Sequence, residues 1–130
     1  TILRRQRQMC IRDSKNNLKN YLSIRENLMI QGLKLDSFNL DLLEKFNLRR
    51  HIDNSVGTLS FGQQKKLSLI RVLNSVENIL ILDEPFVGLD QKSKEFLKDF
   101  MEAEVKKNKT IIFTSHIDFK DDYREIKING

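Results

Sequence analysis

Cysteine occurs once in the 130 residues, at Cys10; proline occurs once, at Pro85, and tryptophan not at all. A single thiol excludes an internal disulfide and a multi-cysteine metal site, which suits a reducing compartment. No apolar run approaches the ~20 residues that a spanning helix needs, and the N-terminus lacks the apolar stretch of a signal peptide. Neither a membrane span nor an export leader is therefore expected. Glycine is confined to five positions, so each of them, like Pro85, is expected to mark a site or a turn. The remaining composition, 39% hydrophobic and 32% charged, is that of an ordinary soluble domain. Its length suits one domain rather than two. Lys and Arg (23) outnumber Asp and Glu (18) for a net charge of +5. That excess alone would invite a nucleic acid or an anionic membrane.

The charge is unevenly placed. Residues Arg4 to Ser14 read RRQRQMCIRDS and hold the only cysteine, four arginines and no apolar periodicity. A basic disordered arm is the plain reading, and back-translation offers a sharper one. The string AGATGTGTATAAGAGACAG, which resembles a transposase end used in sequencing libraries, encodes Met9 to Asp13 and opens a codon for Ser14. Adaptor bases usual upstream of it supply Arg4 to Gln8. Residues 1–14 are accordingly expected to be a non-native, adaptor-derived segment, and the authentic polypeptide to begin near Lys15. Four arginines against Asp13 give that segment +3 and leave +2 for the rest. Most of the case for a nucleic-acid partner goes with it, and none is expected.

Downstream, Ser23 with Glu26 three residues on forms a capping box opening a helix toward Ile30 that Gly32 ends. A second helix is expected from Ser37 to Leu48, with Phe38, Leu42, Leu43 and Phe46 on one face. These build a small helical layer. After the turn-prone Asp53 to Gly57 comes LSFGQQKK, leading a helix through Leu67, Ile70, Val72 and Leu73. Asn78 to Leu82 (NILIL) is a short apolar run ending at Asp83-Glu84, the pattern of a buried parallel strand. A helix over residues 91–107 should place Phe96, Leu97, Phe100, Met101 and Val105 inward before a second strand, Thr110 to Ser115. Strand, crossover helix and strand make a βαβ unit. Arg124 to Asn129 alternates as a final, weaker strand.

Carboxylates at the carboxyl edge of a parallel sheet lie where α/β proteins bind ligands. An apolar strand closed by an aspartate is the pattern that holds Mg²⁺ in phosphate-handling ATPases. Asp83 suits the metal side, and Glu84 suits a base or positioner for water. Alternation at a strand end points the two apart. A solvated acidic turn is the plain alternative. His116, at the same edge after the second strand, can reach a terminal phosphate. Leu59-Ser60-Phe61-Gly62-Gln63 precedes a helix, so its amides and the Ser60 hydroxyl can face an anion; otherwise Ser60 is a plain cap. Gly57 and Gly62 have phosphate-loop spacing, but Gln63-Gln64 follows in place of Lys-Ser/Thr and a polar turn precedes. They are not read as one.

LSFGQQKK, NILILDEP, FVGLD and TSH, in this order and spacing, resemble the C-terminal part of an ABC transporter nucleotide-binding domain. The resemblance covers essentially everything after Lys15 and implies an α/β fold: a P-loop NTPase-type parallel sheet with a small helical subdomain, its N-terminal part missing. It places the helical subdomain at about 15–76 and the βαβ core at about 77–130. By resemblance, Leu59, Ser60, Phe61, Gly62 and Gln63 are the signature that meets the ATP of an opposite subunit, with Phe61 where glycine is usual. Asp83 holds Mg²⁺ through water, Glu84 polarises the attacking water, and His116 contacts the γ-phosphate. Gly88, Leu89 and Asp90 form the loop that communicates across a head-to-tail dimer. ATP and Mg²⁺ are the implied cofactors. A second ATPase domain and integral-membrane permease subunits are the implied partners. The implied location is peripheral, on the cytoplasmic face of the inner or plasma membrane or the mitochondrial matrix face. LKNYLSIRENL, the doubled Gln63-Gln64 before two lysines and DEPFVGLD are similar to the ATP-binding subunit of the haem exporter of cytochrome c biogenesis. Another importer or exporter subunit, or a non-catalytic interaction fragment, stands as the alternative.

No GxxxxGK(S/T), adenine-stacking strand or glutamine loop stands in the sequence, so negligible ATPase activity is expected of the chain as written. A strand–GxxxxGK(S/T)–helix unit is expected upstream of Lys15. Sequencing the genomic locus checks both points. Codons for Arg4 to Asp13 should be absent next to Lys15, and finding them contiguous there would refute the adaptor origin.

Overall fold

The computed structural model describes the backbone of Met9–Arg12 together with residues 18–115. His116 and the weak strand expected over Arg124 to Asn129 lie outside the described residues. Three strands, β1 (Met9–Arg12), β2 (Ile79–Leu82) and β3 (Thr110–Phe113), form one parallel sheet in the order β1-β2-β3. Between β2 and β3 runs helix α4 (Gln91–Lys106), the crossover that parallel neighbours require. The register pairs Ile79 with Thr110 and Leu82 with Phe113, so both strands end at the same level. Met9–Arg12 lie within the segment of expected adaptor origin and pair with Ile79–Leu82. Ladder bonds run through backbone groups alone, so a segment of any origin can take that place.

Helix α1 (Ile24–Ile30) starts on the capping box that the sequence implies. Ser23 Oγ accepts from the Glu26 amide at 3.1 Å and a Glu26 carboxylate oxygen accepts from the Ser23 amide at 2.8 Å. It ends where Gly32 adopts φ +76°, a conformation glycine takes without a Cβ penalty. Helix α2 (Ser37–Lys45) is shorter than expected. Asn47 turns left-handed (φ 57°) and the Leu48 amide donates back to Leu43 O at 2.7 Å, which closes the helix before Leu48. Its buried stripe is Asn39, Leu42, Leu43 and the capping Phe46. Phe38 sits about 90° from the centre of that stripe at ~100° per residue. It is 48% exposed, contrary to expectation. Val105 on α4 fails for the same reason, at about 85° from the centre of its stripe, and is 52% exposed.

Helix α3 (Phe61–Leu73) buries Leu67, Leu69, Ile70, Val72 and Leu73 and joins the helical layer to the sheet. Asn74 at its end donates to Asn39 Oδ1 at 2.7 Å, and Asn39 in turn donates to Lys34 O at 2.7 Å. The buried Asn39 side chain is thus satisfied as both acceptor and donor. Phe46 meets Phe96 of α4 edge to face with centroids 5.4 Å apart, and Lys45 Nζ lies 5.0 Å from the Phe96 centroid. Leu80 and Leu82 of β2 and Leu97 and Met101 of α4 continue this core toward the sheet.

Glu104 is a buried carboxylate near the end of α4. It pairs with Lys109 and, at 3.3 Å, with Lys107, while Lys109 also donates to Ser75 O at 3.2 Å. Burial pushes the Glu104 carboxyl up, but hydrogen bonds and charge from Lys109 and Lys107 outweigh it, so the net shift is downward. A depressed carboxyl pKa contributes stability above the unfolded value, here 4.5, and that contribution is lost as pH falls through the folded value. Glu104→Gln should therefore lower stability by about 1–3 kcal/mol at neutral pH. Urea unfolding should show the gap from wild type narrowing once the pH drops below 4.5. An unchanged gap would refute the assignment.

Candidate functional site

Helix α3 begins in the motif LSFGQ, and its first turn is built by that motif. Ser60 caps it: the hydroxyl accepts from the Gln63 amide at 3.2 Å, and Gln63 Oε1 accepts from the Ser60 amide at 2.9 Å. The Gln63 side chain is thus folded back onto the cap. Ser60 keeps its hydroxyl proton for donation. The amides of Phe61 and Gly62, at the first two helical positions, have no acceptor within the helix. Leu59 is buried in the core, and its side chain anchors the motif there. Gln64 supports that anchor by donating to Val56 O at 3.0 Å.

The segment from Asp83 to Asp90 crosses directly over this helix start. A Cβ on Gly62 would come within 2.7 Å of Gly88 O, too close for any side chain. Gly88 has φ +79°, and a Cβ there would lie 3.0 Å from the Phe61 ring. Glycine is thus required at Gly62 by the close approach of the two motifs and favoured at Gly88 by its left-handed backbone. Phe61 covers Gly88 with one edge and is otherwise 70% exposed. Phe86 and Leu89 anchor the segment below, Phe86 meeting Phe113 edge to face at 5.8 Å.

Asp90 closes the segment at the N-cap position of α4. Its carboxylate accepts from Lys66 Nζ and from Ser93 Oγ, both at 2.7 Å, and makes no cap hydrogen bond to the backbone. Lys66 donation first, then Ser93, holds this carboxyl down at about 2. The sequence placed Asp90 in an inter-subunit loop; within this chain it pairs with a side chain on α3. Lys66 went unrecognised as part of the site, its one signal being the basic pair that follows LSFGQQ.

At the end of β2, Asp83 and Glu84 stand at the carboxyl edge of the sheet, as expected. Thr114, just past β3, donates its hydroxyl proton to Asp83 Oδ1 at 2.7 Å and accepts from the Glu84 amide at 2.8 Å. Sequence reasoning missed Thr114 as a site residue, although TSH placed it at the strand end. His116 lies outside the described residues. Among the described residues no group of three or more His, Cys, Asp or Glu gathers. The carboxylates of Asp83 and Glu84 offer oxygen donors of the kind that, with water and phosphate oxygens, would hold Mg²⁺ carried in with a nucleotide. Asp83 retains acceptor capacity for this beyond the Thr114 bond.

The Lys66–Asp90 pair is directly testable. Replacing Lys66 with Met should raise the Asp90 carboxyl from about 2 toward its ordinary 3.8, followed by carbonyl-carbon NMR titration. A titration that does not move would mean that Lys66 is not the partner.

Residues 1–87 match the family described as ABC transporter. The chain is 32% identical over 109 residues to Nod factor export ATP-binding protein I of Rhizobium meliloti, covering 78% of this chain and 32% of that protein. It is 31% identical over 125 residues to the cytochrome c biogenesis ATP-binding export protein CcmA of Legionella pneumophila, covering 92% of this chain and 62% of that one. It therefore spans 32% of the first relative's length and under two thirds of the second's. A dimeric post-hydrolysis ATP-binding cassette, solved with ADP and Pi, shares the fold. The TM-score is 0.67 at 22% identity, covering 89% of this chain and 56% of that one. The family match over more than half the residues, together with the geometry of its motifs, shows that the chain belongs to the ABC transporter family and has the fold of its ATP-binding domains.

Proposed function

We propose that this chain is the C-terminal part of the ATP-hydrolysing subunit of an ABC transporter. The observation that carries it is the joined pair of sites: two carboxylates on one parallel-strand end, and the capped start of α3 packed on the segment that follows them. In this reading Glu84 accepts a hydrogen bond from the attacking water and orients it, and Asp83 is the carboxylate on the metal side. Mg²⁺, when bound with ATP, supplies charge neutralisation on the phosphates. The amides of Phe61 and Gly62 and the Ser60 hydroxyl donate to the ATP held by an opposing domain. Asp90 belongs to the loop facing that domain, and His116 meets the γ-phosphate.

The motif order supports a head-to-tail dimer of ATPase domains acting with membrane-embedded permease subunits, on the cytoplasmic or matrix side. No described helix is long and apolar enough to cross a membrane itself. Haem export for cytochrome c biogenesis is the transport reading we favour, because the relative of that name aligns with 92% of the chain. The Nod factor relative, 32% identical, supports export of another substrate as the second reading.

Purified as written, the chain should show negligible Mg·ATP hydrolysis. The full-length protein encoded at its locus should hydrolyse ATP, and Glu84→Gln should lower its kcat by about 100-fold or more. Hydrolysis by the 130-residue chain, lost on Glu84→Gln, would overturn the inactivity. An inactive full-length protein would overturn the ATPase reading.

A further inference from the structure

One hydroxyl joins the two carboxylate-bearing residues. Thr114 Oγ1 lies 2.7 Å from Asp83 Oδ1 and 2.8 Å from the Glu84 amide. It gives its single proton to the carboxylate and takes the amide proton on a lone pair, a combination that a threonine hydroxyl can make and a valine cannot. The Thr114 amide donates to Leu82 O at 3.1 Å, so the hydroxyl is delivered from a fixed point one residue past the Leu82–Phe113 pair. Glu84 adopts φ +44°, a left-handed conformation that a residue with a Cβ takes only under constraint. The peptide between Asp83 and Glu84 carries the amide that Thr114 receives. Rotation of that peptide would move the Asp83 carboxylate and the Glu84 side chain relative to each other.

We infer that Thr114 is a positioning residue: its hydroxyl fixes the Asp83–Glu84 peptide and thereby the mutual orientation of the two carboxylates. Its consequence for hydrolysis rests on the ATPase reading above. Its consequence for the backbone does not.

Two arms separate these. In the 130-residue chain, amide exchange by NMR should show the Glu84 amide opening about tenfold faster in Thr114→Val, and within about threefold of wild type in Thr114→Ser. The amides of Leu80 and Leu97 report that the fold persists. Thr114→Ala serves if the valine variant does not fold. Equal protection of Glu84 in the valine or alanine variant, or failure of serine to restore it, would overturn the inference. In the full-length protein, Thr114→Val should lower kcat about tenfold with KM for Mg·ATP within about twofold, and Thr114→Ser should recover it. An unchanged kcat in an active enzyme, with Glu84 deprotected, overturns the positioning role. A wild-type full-length protein without hydrolysis overturns the ATPase reading instead, and amide exchange alone then decides whether Thr114 orients the pair.

Discussion

Ile79–Leu82 and Thr110–Phe113 run parallel and in register, each paired over four residues, and stop at the same level. Parallel pairing requires a crossover, and α4 supplies it; the crossover in turn requires a segment that leaves β2, turns, and starts a helix. That segment is Asp83 to Asp90. Its chemistry follows from its place. Leaving the ladder frees Asp83 and Glu84 from strand pairing, while β3 ending alongside brings Thr114 within reach of both. Were the register slipped by one residue, Thr114 would change faces and the bridge could not form.

The other end of the segment is fixed to the helical layer. Phe86 and Leu89 are buried, Gly88 lies under the Phe61 ring, and Asp90 is held by Lys66 and Ser93. The Lys66 side chain is mostly sheltered and also reaches Phe46 O at 3.5 Å. The α3 ammonium thus bridges the end of α2 and the start of α4. Exposed ion pairs contribute little, but one whose lysine is sheltered and whose acceptor takes a second hydrogen bond fixes geometry better than an isolated surface pair.

Local chemistry was legible in the sequence and distant contact was not. Ser23 with Glu26 announced α1 because a capping box is complete within four residues. The buried face of α3 followed from periodicity, and NILIL followed from its continuous apolar run. The end of α2 was misread because Asn47 stops the helix by turning left-handed, whereas the apolar pattern continues to Leu48. Phe38 and Val105 were assigned inward because a helix stripe has soft edges and only the neighbouring element decides which rim residues are covered. At the site, Asp83 and Glu84 were visible by type and position. Within the signature, Leu59 is core and Gln63 completes the Ser60 cap, contacts that the motif did not specify by itself. Lys66 and Thr114 act on residues 24 and 31 positions away respectively, and no local pattern encodes such pairings.

The same segment carries the argument one step further. In the proposed function its first two residues belong to the hydrolytic centre, and its last would face an opposing domain whose nucleotide would meet the start of α3. Between them, the buried Phe86 and Leu89 and the covered Gly88 leave little freedom for one end to shift without the other. Packed interiors switch between discrete arrangements more readily than they stretch. In that reading the Gly62–Gly88 approach is where a phosphate at the α3 start would bear on the segment that carries Asp83 and Glu84. Thr114, its amide bonded to Leu82 O, ties the first two residues of that segment to the ends of the two strands.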